Sequence, residues 1–317
     1  MLPTTSPVLR TLSSLLLIVG MSLWTFGCAA PPIETTDRVD AATFSWQEKR
    51  CFDVTHLAAE EQALADSLMK EALDHQALYT LVGDIKPMST LQQKRLFVAR
   101  PDSLPAGIPD VITTDTARAA HADAAQLQRV AQALSCGEIS TVVVPFRITR
   151  DGVRTVQALL VNQRRIDEVM QEKRAFWGQW GFAPGVAPGV VTTTVEYENS
   201  LDRFRGYGHL FGYPAHAVTF FVEAARESEA TGEFVERDFF HIPTHAAETN
   251  RFTYAVPEGY MPTAVDSAVY LASRDVLSAY RERRDAYVTS EGTLQALELV
   301  RDWYREEPAR DPRRPTE

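Results

Sequence analysis

Lysine and cysteine are scarce in this chain, with five lysines and three cysteines among 317 residues, and no lysine follows Lys173. Basic side chains are outnumbered by acidic ones, 32 against 42, and the formal net charge is −10. A nucleic-acid groove or a polybasic lipid-binding surface needs clustered cations facing phosphate, so this balance argues against both. Motifs whose chemistry fixes their spacing are missing too. No glycine-rich phosphate loop ends in Lys-Ser or Lys-Thr, no dinucleotide fingerprint follows a strand, and no CxxC, HExxH or GxSxG occurs. Beyond the first thirty or so residues there is no second hydrophobic segment long enough to cross a bilayer.

What is present begins at the N-terminus. Arg10 precedes an uncharged stretch from Leu12 to Phe26 whose apolar centre is Leu15-Leu16-Leu17-Ile18-Val19, followed by Gly27-Cys28-Ala29-Ala30-Pro31-Pro32. The centre is short for a spanning helix of about 20 residues and reads as a secretory signal. An uncleaved anchor is the competing reading, because the uncharged run continues to Ile33. Over about the first 35 residues the pattern resembles the signal of bacterial lipoproteins, with Thr25 and Phe26 at the positions where that family has Leu and a small residue. The resemblance implies a signal peptide over 1–27, lipid such as palmitate attached at Cys28, and a location in the cell envelope. The mature chain would be an outer-membrane lipoprotein facing either the periplasm or the cell surface. Its membrane partner would be reached through the anchor, since two or three acyl chains hold where one is marginal.

Residues 28–43 mix Ala, Pro, Thr and Asp and read as a flexible tether, and the charged, proline-rich 307–317 reads as a disordered tail. Between them 44–306 suffices for one sizeable domain. Cys51 and Cys136 form a disulfide candidate in an oxidising compartment, with two unpaired thiols as the alternative.

Periodicity predicts a helix over 56–82 capped by Thr55, a second over 116–135, and the strands Ile139 to Thr149 and Val153 to Asn162 joined at Asp151-Gly152. A helix over 164–180, a strand from Val190 to Tyr197 and a helix from Ser200 to Arg205 follow. Strands Arg237 to Ile242 and Phe252 to Val256, and helices near 273–288 and 291–305, close the chain. The expected class is α+β, one domain with a mixed or mainly antiparallel sheet packed by amphipathic helices.

Three patterns suggest chemistry. Ser67-Leu68-Met69-Lys70 has the spacing by which penicillin-binding proteins and serine β-lactamases pair nucleophile and lysine, but their third element, Lys-Thr-Gly, is missing. Residues 203–216 hold three glycines, four aromatics and two histidines, which describes either a sharply bent pocket wall or helix termination over a core. The candidate pocket residues are Tyr207, His209, Tyr213, His216, Glu223, His241 and His245. No cofactor is expected, although histidines from this set with Glu223 or Asp238 offer a possible metal site, unassigned in detail. Glu196 and Glu198, two apart on the expected strand, form a candidate acid-base pair.

The first-ranked reading is an envelope lipoprotein with a binding or assembly role, partnered by an envelope protein or a small molecule and not by nucleic acid. The alternative is an envelope hydrolase, metal-dependent or not, built on the region 207–245. Replacement of Cys28 by Ser is expected to abolish incorporation of labelled palmitate when the full chain is expressed in a bacterial host. Undiminished label in Cys28→Ser contradicts the anchor.

Overall fold

The computed structural model describes residues 51–97, 115–150 and 153–306, which belong to one compact unit. Cys28, the signal 1–27, the tether 28–43, the tail 307–317 and the Asp151-Gly152 turn lie outside the described residues. Helices α1 (Ala59–Asp74) and α2 (Leu78–Leu81) replace the single helix expected over 56–82. The Asp74 carbonyl accepts from Ala246 N at 2.9 Å instead of continuing the helical ladder, and His75 leaves helical geometry. Thr55 is not the cap; its N–H donates to Asp53, and Ala58 stands at the N-cap with its own N–H on Glu61.

Strand β1 (Met88–Phe97) had no counterpart in the sequence reading. Helix α3 (Asp115–Ala133) leads to β2 (Ile139–Arg150) and β3 (Val153–Asn162), and the three strands form an antiparallel sheet in the order β1-β3-β2. Because side chains alternate across a strand, central β3 feeds two cores. Ala158 and Leu160 join Leu68, Leu73 and Leu127 on one face; Leu159 and Val161 join Ile166, Trp177, Val191 and Val195 on the other. A strand buried on both faces must read as a continuous apolar run, and Ala158-Leu159-Leu160-Val161 does.

The second face is roofed by α4 (Gln163–Glu172), α5 (Arg174–Trp177), α6 (Pro188–Tyr197) and α7 (Ser200–Leu210). The strand expected at Val190 to Tyr197 is therefore helical. Pro188 occupies the first turn, where its missing N–H costs nothing, and Val191 and Val195, four apart, are both fully buried against the sheet. Thr192 Oγ1 donates back to the Pro188 carbonyl at 2.8 Å. Tertiary burial outweighs the β preference of Val and Thr here.

α7 also continues past Arg205, because Gly206 and Gly208 serve contact and not bending. A Cβ on Gly206 would stand 2.8 Å from Val195 Cγ2, and one on Gly208 would stand 2.8 Å from Val218 Cγ2. These are the crossing points with α6 and with α8 (Ala215–Thr231). The chain does turn at Gly212, whose φ is +73° and where a Cβ would meet the Ile85 carbonyl oxygen at 3.1 Å.

Strands β4 (Arg237–Ile242) and β5 (Phe252–Pro257) form a separate antiparallel pair, followed by α9 (Ala264–Arg284) and α10 (Ala296–Glu306). α9 begins earlier than expected because Asp266 accepts from both the N–H and the hydroxyl of Thr263, at 2.7 and 2.8 Å. The architecture is α+β with small antiparallel sheets packed by helices.

Cys51 and Cys136 are bonded, with Cα atoms 4.5 Å apart, tying the segment before α1 to the end of α3. Replacing both by Ser is expected to lower stability by about 2–4 kcal/mol, read as a lower urea midpoint. An unchanged midpoint contradicts a stabilising bridge.

Candidate functional site

The roof over β2 and β3 is incomplete. Val142 and Val144 on β2, with Leu159 and Val161 on β3, pack under the helices, but the same sheet face continues outward through Phe146 and Ile148 and through Val153, Thr155 and Gln157. There the sheet and α7 diverge around a cavity of about 670 Å³, within the range of small-molecule sites. On its helical side the α7 residues Arg203 and Tyr207 stand four apart, with Phe204 beside them and Phe211 one turn beyond Tyr207. Ile148, at the rim, is 49% exposed.

A buried polar group closes one wall. Glu196, in the last turn of α6, accepts from the Arg147 backbone N–H at 2.8 Å and from the Tyr207 hydroxyl at 2.7 Å, so one carboxylate joins β2, α6 and α7. Burial and that carboxylate together hold the Tyr207 hydroxyl well above the usual phenol range. The Arg203 guanidinium lies 3.9 Å from Glu196. Gln157 Nε2 donates to Thr90 Oγ1 at 2.6 Å, which anchors the floor. Phe211 stacks on Tyr207 with centroids 5.6 Å apart.

Behind Phe211 lies Lys86, a buried side chain with no carboxylate partner among the described residues. Its ammonium sits 4.2 Å from the Phe252 ring centroid, 5.5 Å from Phe211 and 5.8 Å from Tyr213. Cation–π attraction compensates only part of its lost hydration, and burial lowers its pKa to about 7.

Of the residues singled out from sequence, Tyr207 lines the cavity together with Glu196 of the candidate acid pair, and the other candidate pocket residues lie elsewhere. His209 packs edge-on against Phe176 and Trp177, and burial lowers its pKa to about 4. Tyr213 stacks on Phe252 in the first core, its hydroxyl pushed up to about 12 by burial. His216 Nε2 lies 3.2 Å from Asp266 Oδ1 and 2.9 Å from the Tyr260 hydroxyl. Glu223 is exposed on α8, and Asp238 accepts from Gly259 N at 2.7 Å. His241 Nδ1 pairs with Thr253 Oγ1 at 2.8 Å, whereas His245 lies 3.9 Å from Asp74 and edge-on to Tyr280.

Among the described residues no three His, Cys, Asp or Glu side chains are grouped to hold a metal. Glu196 and Glu198 form no pair either, since Glu198 accepts from Trp180 Nε1 at 2.8 Å. Ser67 is exposed on α1, and Lys70 donates to Asp74 at 2.9 Å.

The sequence offers 203–216 as a pocket wall but does not single out Arg203, Phe204 and Phe211 within it. Their signal was the four-residue step Arg203, Tyr207, Phe211 along one helix face, masked by the glycines between them.

Lys86 makes stability depend on pH. Its folded pKa lies below its unfolded value, so the unfolded chain binds the extra proton between about pH 7 and 10 and stability rises across that window. Above it, buried tyrosines such as Tyr207 and Tyr280 oppose the rise, because they ionise more readily when unfolded. Lys86→Met is expected to stabilise the protein at pH 7 by about 2–4 kcal/mol and to flatten the rise. Urea titrations at pH 7 and 9.5 measure both, and a Met variant that is no more stable contradicts the assignment. Compared with known protein families, curated proteins and solved structures, the chain matches none, so the chemistry of this site rests on its own geometry.

Proposed function

We propose that this chain is a lipid-anchored cell-envelope protein that binds a small amphipathic molecule in the cavity between the β2–β3 hairpin and α7. The carrying observation is a cavity of about 670 Å³ with mostly apolar walls and one polar corner, Glu196 with Tyr207 and Arg203. Apolar area supplies affinity and a few placed polar groups supply orientation. The Cys28 signal and the Cys51–Cys136 bridge both suit an oxidising envelope compartment. A tethered binding domain is also consistent with the absence, among the described residues, of any helix long and apolar enough to cross a membrane.

The hydrolase alternative required at least three of His209, His216, Glu223, Asp238, His241 and His245 in one cleft. Asp238 and His241 share one hollow beside β4, but among the described residues no three of the set are grouped, so the geometry does not favour it.

The test is native mass spectrometry of the full chain, extracted gently from membranes of its own host. An added mass of a few hundred daltons is expected on the wild-type protein and is expected to be lost from Val153→Trp, which fills the cavity. A bare chain in both samples, or a mass retained by the tryptophan variant, contradicts binding at this site.

A further inference from the structure

We infer that the ligand of this cavity is a monoanionic amphiphile, a carboxylate on an apolar body, and that Arg203 binds its head. This rests on the pocket proposed above. Arg203 stands in the first turns of α7 with its side chain only 15% exposed. A guanidinium carries five N–H donors in a planar fork, yet this one makes no side-chain hydrogen bond among the described residues. The carboxylate it faces is Glu196, whose Oε1 lies 3.9 Å away, beyond hydrogen-bond reach, and already accepts the Arg147 backbone N–H at 2.8 Å. The other carboxylate oxygen is taken by Tyr207. What remains beside the guanidinium is the Phe204 ring, 5.4 Å from Cζ, and the cavity.

The donors that no described side chain takes open onto the cavity. An incoming carboxylate can meet them with charge-assisted, bidentate bonds. The rest of the cavity limits the class further. Among the described lining residues the acidic side chain is Glu196, which is buried, already accepts from Arg147 N–H and the Tyr207 hydroxyl, and faces Arg203, so a cationic head meets no uncompensated anion there. Among the described lining residues the cationic side chain is Arg203, already balanced in part by Glu196, which suits one negative charge better than a dianionic phosphate. Phe146, Ile148, Val153 and Phe204 offer the apolar body no polar partner. At roughly 30 Å³ per water-sized group the space holds on the order of 20 heavy atoms, the size of one acyl chain with its head.

The experiment compares dodecanoate, dodecanol, dodecylammonium and dodecyl phosphate, each below its micelle concentration, by calorimetric titration of the full chain. Wild type, Arg203→Gln, Arg203→Lys and Val153→Trp are used, with folding checked by circular dichroism. Dodecanoate is expected to bind at least about tenfold more tightly than the other three. That preference is expected to collapse in Arg203→Gln and to survive in part in Arg203→Lys, while Val153→Trp weakens every probe.

Equal affinities for acid and alcohol in wild type, a preference for the ammonium or the phosphate, or an acid preference that persists in Arg203→Gln each overturn the head assignment while leaving the pocket in place. Binding of no probe, or binding untouched by Val153→Trp, overturns the pocket itself.

Discussion

The constraint on which the rest of this structure depends is the burial of β3 on both faces. Ala158 and Leu160 are committed to one core and Leu159 and Val161 to the other, all four with no exposed surface. A slip of one residue would exchange the two sets between cores of different shape, so register is strongly specified. Helices α1, α3 and α10 close the first core, and α6 and α7 the second. The second layer reaches only part of the sheet's length, and the cavity is the uncovered remainder of the same face.

Two kinds of contact hold that second layer in place. Gly206 and Gly208 let α7 approach Val195 of α6 and Val218 of α8 so closely that a methyl group at either position would overlap them. Glu196 then fixes the open end, spending both carboxylate oxygens on β2 and α7. Comparable buried carboxylates work elsewhere. Asp74 gathers Tyr280, Arg284 and Lys70 between α1 and α9, and these partners lower its pKa to about 2 against the opposing effect of burial. Asp266 accepts from Tyr254, Tyr260 and Thr263 at the start of α9. Each of these acids has its donors supplied, whereas among the described residues Lys86 has no carboxylate partner and Arg203 meets Glu196 only at 3.9 Å. That asymmetry separates structural groups from those with capacity left over.

Much of this was legible in the sequence because local pattern and tertiary demand agree. The hairpin strands β2 and β3 are β-branched and continuous, as a doubly covered sheet requires, and α3 and α10 carry apolar residues at helical spacing. Where the two disagree, the reading failed. β1 was invisible because Gln92-Gln93-Lys94-Arg95 gives an edge strand no apolar alternation. α6 was read as a strand because Val and Thr dominate it, although the four-residue step from Val191 to Val195 and Pro188 at its start carried the helical information. At the site, Tyr207 and Glu196 could be picked out, but Glu196 was matched with Glu198 by an alternation that a helix does not have. The four histidines between 209 and 245 drew notice by number, and number says nothing about direction: each faces a different set of side chains. Arg203 could not be distinguished from 26 other arginines until its missing partners were visible.

The most direct test of the account is a crystal structure of the chain purified undenatured from its own host. Expected are α6 and α7 packed on β3 as described, with elongated density between Phe146 and Phe204 that ends against Arg203. A slot closed by Ile148 and Phe204 collapsing onto the sheet, with Arg203 turned out to solvent, would contradict it.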